Sequence, residues 1–154
     1  MEIIEADQDD AEEILKLQKI VYIDEAQIYN DFTISPLHQT ISEIKEEFSY
    51  KKFLKASSNC IIIGSVRGYQ NIDTCYIGKL IVNSEFQNQG IGSKLLGKIE
   101  QIFKEVKRYE LFTGDKSEKN LYFYKKNGYN AFKEEKLNSN VNFVFLEKFN
   151  NFYL

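Results

Sequence analysis

The sequence predicts an α+β domain, a mixed and mostly antiparallel sheet of about seven strands flanked by about four helices. Three observations predict it. The strand-like runs 53–56, 60–67 and 74–82 follow one another with only short turns between them, as in an antiparallel meander. The third run passes through Gln87-Asn88-Gln89-Gly90-Ile91-Gly92 into a pattern with Leu95, Leu96, Ile99, Ile102, Phe103 and Val106 at helical spacing. The chain of 154 residues is long enough for one core and too short for two, so a single domain over 1–154 is expected.

Each element follows from local pattern. Residues 2–6 read as a first strand. Ala11, Ile14, Leu15, Leu17, Ile20 and Val21 mark the first helix, with Asp9 or Asp10 as its cap. A polar and aromatic segment, 25–40, holds the single proline, Pro36, and the single histidine, His38. A second helix over 41–50 opens with Thr40 and Glu43 at capping-box spacing. A hairpin turning near Gln70-Asn71 sets Cys75 opposite Val66, away from Cys60, so no disulfide is expected. Residues 109–112 read as the fifth strand, 118–126 as a helix ended by Gly128, and 129–134 and 141–148 as the last two strands.

Composition narrows the function. A net charge of -3 and only two arginines, Arg67 and Arg108, argue against a nucleic-acid binder. The start Met-Glu-Ile-Ile-Glu lacks a signal sequence, and no apolar run approaches the about 20 residues of a membrane helix. A cytoplasmic protein without a membrane partner is expected, and no metal-ligand cluster is evident.

Strand, glycine turn and helix together make an anion site. The first helical N–H groups lack intrahelical partners, and the helix dipole places roughly half a positive charge there. A P-loop is excluded because Gly92-Ser93-Lys94 reverses the required Lys-Ser/Thr order. A dinucleotide fold wants glycine where Leu95 stands, and parallel β-α units where a meander stands. Gln87-x-x-Gly90-x-Gly92 after a long strand instead resembles the acetyl-CoA signature of the GNAT superfamily of N-acetyltransferases. Tyr124-Lys125-Lys126-Asn127-Gly128-Tyr129 resembles that family's second recurring element, and the element order fits from residue 1 to about 150.

The resemblance implies the GNAT fold and acetyl-CoA as cosubstrate, with direct transfer to a primary amine of a small molecule or peptide. Carried over, Gln87, Asn88, Gln89, Gly90, Ile91, Gly92 and Ser93 hold the pyrophosphate, with Lys94 at the rim. Leu80, Ile81 and Val82 offer main-chain contacts to pantetheine, and an N–H near Val82 stabilises the thioester oxygen. Tyr124 is the expected proton donor to the leaving thiolate. Asn120 lies one helical turn before it and is expected to contact the cofactor; Ser117, a further turn back, is expected to cap the helix. Glu25 is the leading general base and acceptor contact, ahead of Glu85 and Asp115, while His38 is expected to be structural. Tyr22, Tyr29, Phe32 and Leu37 either line the acceptor site or pack between helices; Tyr29 is taken as acceptor-binding. The alternative is a non-catalytic CoA-binding regulatory module. The aromatic tail 143–153 suits a homodimer contact.

Overall fold

The computed structural model describes residues 1–151. Its strands are β1 (Glu2–Glu5), β2 (Lys52–Ser58), β3 (Ile61–Asn71), β4 (Thr74–Val82), β5 (Arg108–Gly114), β6 (Asn130–Lys136) and β7 (Asn142–Phe149). They form one seven-stranded sheet in the order β1-β2-β3-β4-β5-β7-β6. The helices are α1 (Ala11–Tyr29), α2 (Ser35–His38), α3 (Ile41–Glu47), α4 (Ile91–Ile102) and α5 (Glu118–Lys126). Neighbouring strands pair antiparallel except β4 and β5, whose parallel arrangement requires a crossover, here α4. The expected mixed α+β architecture is the one observed.

Two apolar clusters hold the layers. Leu95, Leu96 and Ile99 of α4 pack on Leu54, Val66, Ile77, Leu111 and Leu146. On the opposite side Ala11, Ile14 and Leu17 of α1, with Ile44 of α3, pack on Phe53, Ile62 and Ile81. That second layer also holds a buried polar knot. Arg67, only 1% exposed, donates to Glu47 Oε2 at 2.8 Å and stacks on Phe53 at 4.6 Å, and it reaches Gln18 of α1.

Several local expectations are corrected. The first helix runs on to Tyr29, because Ala26 and Tyr29 continue its buried face, and Asn30 ends it in the left-handed conformation at φ 48°. Asp10 occupies its N-cap position, as one of the two expected residues, but its side chain makes no cap bond. Asp7 instead caps a short 3-10 turn, and Asp10 closes the box by accepting from the Asp7 N–H at 3.0 Å. The helix after the glycine turn stops at Ile102, which is 42% exposed; Val106 is buried from the following loop. Strand β3 extends to Asn71, helped by the stacked cross-strand pair Tyr69–Tyr76, so Cys75 faces Gln70 rather than Val66. Both cysteines are free, as expected. Of the aromatic tail, Phe143 and Phe145 pack against Phe112, whereas Phe152 and Tyr153 lie outside the described residues.

Two features of the sheet set up a cleft. Parallel pairing of β4 with β5 covers only Thr74–Arg108, Cys75–Tyr109 and Tyr76–Glu110. Farther along β4, the β3 register jumps from Arg67–Gly78 to Ser65–Ile81, leaving an extra residue on β4. Lys79 sits in this bulge at φ 50°, a conformation that costs a non-glycine residue about 1–3 kcal/mol and bends the strand. The C-terminal turn of α1 then lands on the far end of β5, with the Tyr29 ring against the backbone of Gly114.

A methyl group on Gly114 would overlap the Tyr29 ring and hydroxyl. Gly114→Ala is therefore expected to cost about 1–3 kcal/mol in urea denaturation, and clearly less in a Tyr29→Ala background. Equal costs in both backgrounds would show that Tyr29 does not set the spacing.

Candidate active site

The cleft opens where β4 leaves β5, and the chain that follows β4 forms its outer wall. The Gln87 side-chain amide donates to the Val82 carbonyl at 3.0 Å, closing the turn at the end of β4. Asn88 and Gly90 adopt left-handed φ values of 64° and 80°, which turns the backbone into α4. No side chain caps that helix start, so the N–H groups of Ile91, Gly92 and Ser93 are available to an anion. Gly92 allows α5 to approach closely, since a Cβ there would lie 3.2 Å from the Phe123 ring. Gln89, Ser93 and Lys94 are exposed around the turn, whereas the Ile91 side chain is buried in the core and offers only its backbone. Leu80 and Val82 flank the cleft half-buried; Ile81 turns into the α1 layer. Lys119 of α5 reaches across to Gln87 Oε1 at 2.6 Å, a contact over 32 residues that no local pattern announces.

The inner wall joins α1 to α5. Glu25 Oε1 accepts from Ser117 Oγ at 2.5 Å and from Asn120 Nδ2 at 3.1 Å, and Asn120 also donates to Thr113 Oγ1 at 3.3 Å. Ser117 thus stands at the cap position of α5 without capping it: its backbone, at φ -84° and ψ 71°, is not in the extended cap conformation, and its hydroxyl turns to Glu25. The Tyr29 hydroxyl donates to Asp115 Oδ1 at 2.9 Å and accepts from the Lys116 N–H at 2.8 Å, so it works as a strut between α1 and the β5–α5 loop. Burial, with Asp24 adding, lifts the Glu25 carboxyl above its usual range against the opposing Ser117 hydrogen bond.

Tyr124 projects toward this pair, 9% exposed and edge-on to Phe123 and Tyr129. Burial raises its hydroxyl well above the usual phenol range, and the nearby Tyr22 and Glu25 add to the shift. Among the described residues Arg67 Nε is the one buried side-chain polar atom without a partner. The Tyr124 hydroxyl makes no hydrogen bond among the described residues either. Tyr22 is pushed up to about 12 by burial and Glu25, with Arg67 opposing. It links the Glu25–Tyr124 pair to the Arg67 knot, a connection the sequence hides because Arg67 sits inside an apolar strand.

The other candidate acids and the histidine are engaged or set apart. Asp115 is occupied by Tyr29, Glu85 is exposed in the turn after β4, and His38 Nε2 contacts the Phe32 carbonyl at 2.8 Å. No helix among the described residues is long and apolar enough to cross a membrane.

Solved structures share this fold at low identity. The PaiA N-acetyltransferase of Thermoplasma acidophilum, in complex with coenzyme A, is 18% identical, with a TM-score of 0.79 over 96% of this chain and 98% of that one. A GNAT family acetyltransferase from Elizabethkingia anophelis with acetyl-CoA bound is 24% identical, with a TM-score of 0.63 over 71% of this chain and 83% of that one. An aminoglycoside 6'-N-acetyltransferase complexed with coenzyme A is 16% identical, with a TM-score of 0.76 over 97% of each chain. No curated protein matches the chain significantly. The family model described as acetyltransferase (GNAT) family matches residues 13–129, spanning the cleft, the glycine turn and Tyr124, and the chain belongs to that family of acetyltransferases.

Proposed function

We propose that this acetyltransferase uses acetyl-CoA and moves the acetyl group directly to a primary amine of a small molecule or peptide. The observation that carries this reading is the divergence of β4 from β5, which leads an unpaired strand edge to an uncapped glycine turn at one end. Glu25 and Tyr124 lie near each other on the α1–α5 side of the same opening. Structures of the same fold with coenzyme A or acetyl-CoA bound support the choice of cosubstrate.

The residues fit that cosubstrate. Backbone N–H groups from Gln87 to Ser93 would hold its pyrophosphate, with Lys94 and Lys119 adding positive charge at the rim. The free edge of Leu80, Ile81 and Val82 would accept the pantetheine arm, and a β4 N–H near Val82 would donate to the thioester oxygen. Bound there, acetyl-CoA supplies an activated acetyl thioester.

The chain then has two proton tasks. An alkylammonium with a pKa of about 10.4 is almost wholly charged at neutral pH, so the acceptor must be deprotonated before it attacks. Glu25, oriented by Ser117 and Asn120, takes that proton directly or through one water. Its raised pKa makes it a better base than an ordinary surface carboxylate. Tyr124, whose raised pKa keeps its hydroxyl protonated, donates to the departing thiolate. Asn120, with its amide committed to Glu25 and Thr113, supports the base rather than the cofactor.

Calorimetry is expected to show acetyl-CoA binding that Gly90→Glu or Gly92→Glu abolishes by placing a carboxylate where phosphate sits. Binding by the parent protein with no turnover across a broad amine and peptide panel would favour a regulatory CoA-binding module. Glu25→Gln is expected to lower kcat/KM by about 10²–10⁴. Because burial raises the Glu25 pKa, activity of the parent should rise with pH through a limb lying above the usual carboxylate range, and that limb should vanish in Glu25→Gln. Tyr124→Phe is expected to lower kcat while leaving acetyl-CoA affinity intact; wild-type kcat in that variant would remove Tyr124 from the mechanism.

A further inference from the structure

The charged groups around Lys79 of β4 are paired with one another. Arg67 and Lys51 both bind Glu47, at 2.8 and 2.5 Å. Glu25 is engaged by Ser117 and Asn120. Lys79, whose electrostatic neighbours are Arg67, Glu47 and Lys51, has no hydrogen bond or ion pair among the described residues. It is half-buried. Burial lowers the Lys79 pKa to about 8, and the adjacent Arg67 contributes.

The position of this amine is specific. Lys79 occupies the bulge of β4 at a left-handed φ of 50°, directly before Leu80, Ile81 and Val82 on the cleft edge. A strained backbone that holds an unpaired ammonium beside a reaction cleft makes sense when a ligand completes the pairing. Tyr22, close to both Glu25 and Arg67, connects the base to this cationic corner.

Resting on the acetyltransferase reading above, we propose that Lys79 receives a carboxylate carried by the acceptor. The acceptor is then a zwitterionic amine of the amino-acid kind, with its carboxylate at Lys79. A polyamine would instead bring a further ammonium against Lys79 and Arg67, at an electrostatic cost in this poorly solvated corner.

The test uses the full chain with coenzyme A and three amines that differ in one group: β-alanine, β-alanine amide and 1,3-diaminopropane. NMR of 13Cε-labelled lysine follows the Lys79 resonance, assigned by its loss in Lys79→Arg. β-Alanine is expected to raise the Lys79 pKa, and the amide and diamine to leave it unchanged or lower it. In parallel, acetylation is measured over amino acids, their amides and diamines. Amino acids should be preferred, and Lys79→Gln should weaken that preference through KM by roughly ten- to a hundredfold, with Lys79→Arg restoring much of it. Unchanged acetyl-CoA affinity in Lys79→Gln shows that the fold is intact. A Lys79 resonance indifferent to β-alanine, together with diamines as the better acceptors, overturns the proposal while the enzyme reading stands. A carboxylate-dependent Lys79 shift in a protein that acetylates none of these amines upholds the Lys79 site and counts against the transferase reading.

Discussion

Past the rung Tyr76–Glu110 no backbone pairing ties β4 to β5, and the width of the cleft falls to a few side chains that bridge it. The last two turns of α1 carry most of that duty. Tyr29 is fastened to Asp115 and the Lys116 N–H, and Glu25 to Ser117 and Asn120, so one helix packed on β3 and β4 also grips the β5–α5 segment. At the outer end, Lys119 spans to Gln87. Hydrogen bonds to charged groups contribute about 1.5–3 kcal/mol each, so a handful suffices to hold the gap open without closing it into sheet.

This arrangement gives Glu25 two jobs. The oxygen that holds α5 to α1 belongs to the carboxylate proposed as base, so its protonation and the cleft geometry are coupled. Ser117 and Asn120 both donate to it and thus favour the charged form, while burial works the other way. The outcome of that contest is a carboxyl raised above its usual range, the direction that strengthens a base. Tyr124 faces the opposite balance, because burial and its acidic neighbours both keep its proton in place.

Much of the local structure around the candidate site was legible because it is written in local pattern. Gly90 and Gly92 mark the turn into α4, and the apolar spacing of Leu95, Leu96 and Ile99 marks the helix behind it. Thr40 and Glu43 form the capping box their spacing implies. Errors arose where a residue's local role competed with a distant partner. Ser117 reads as a cap until Glu25, 92 residues away, claims its hydroxyl. The extent of α1 was underread because Glu25 and Gln27 look like loop polarity beside the buried Ala26 and Tyr29.

By itself, then, the sequence determined the element order and the glycine-lined helix start, since each depends on residues close together in the chain, and its resemblance to the family named Tyr124 and Glu25 as candidates. Only the tertiary structure decided that Glu25 is shared by Ser117 and Asn120, that Arg67 is buried against Glu47, and that Lys79 is left unpaired in a bulge. Those facts depend on strand register and on how far β4 bends from β5. Register is a property of paired strands, and a one-residue bulge reassigns every side chain beyond it to a different neighbour.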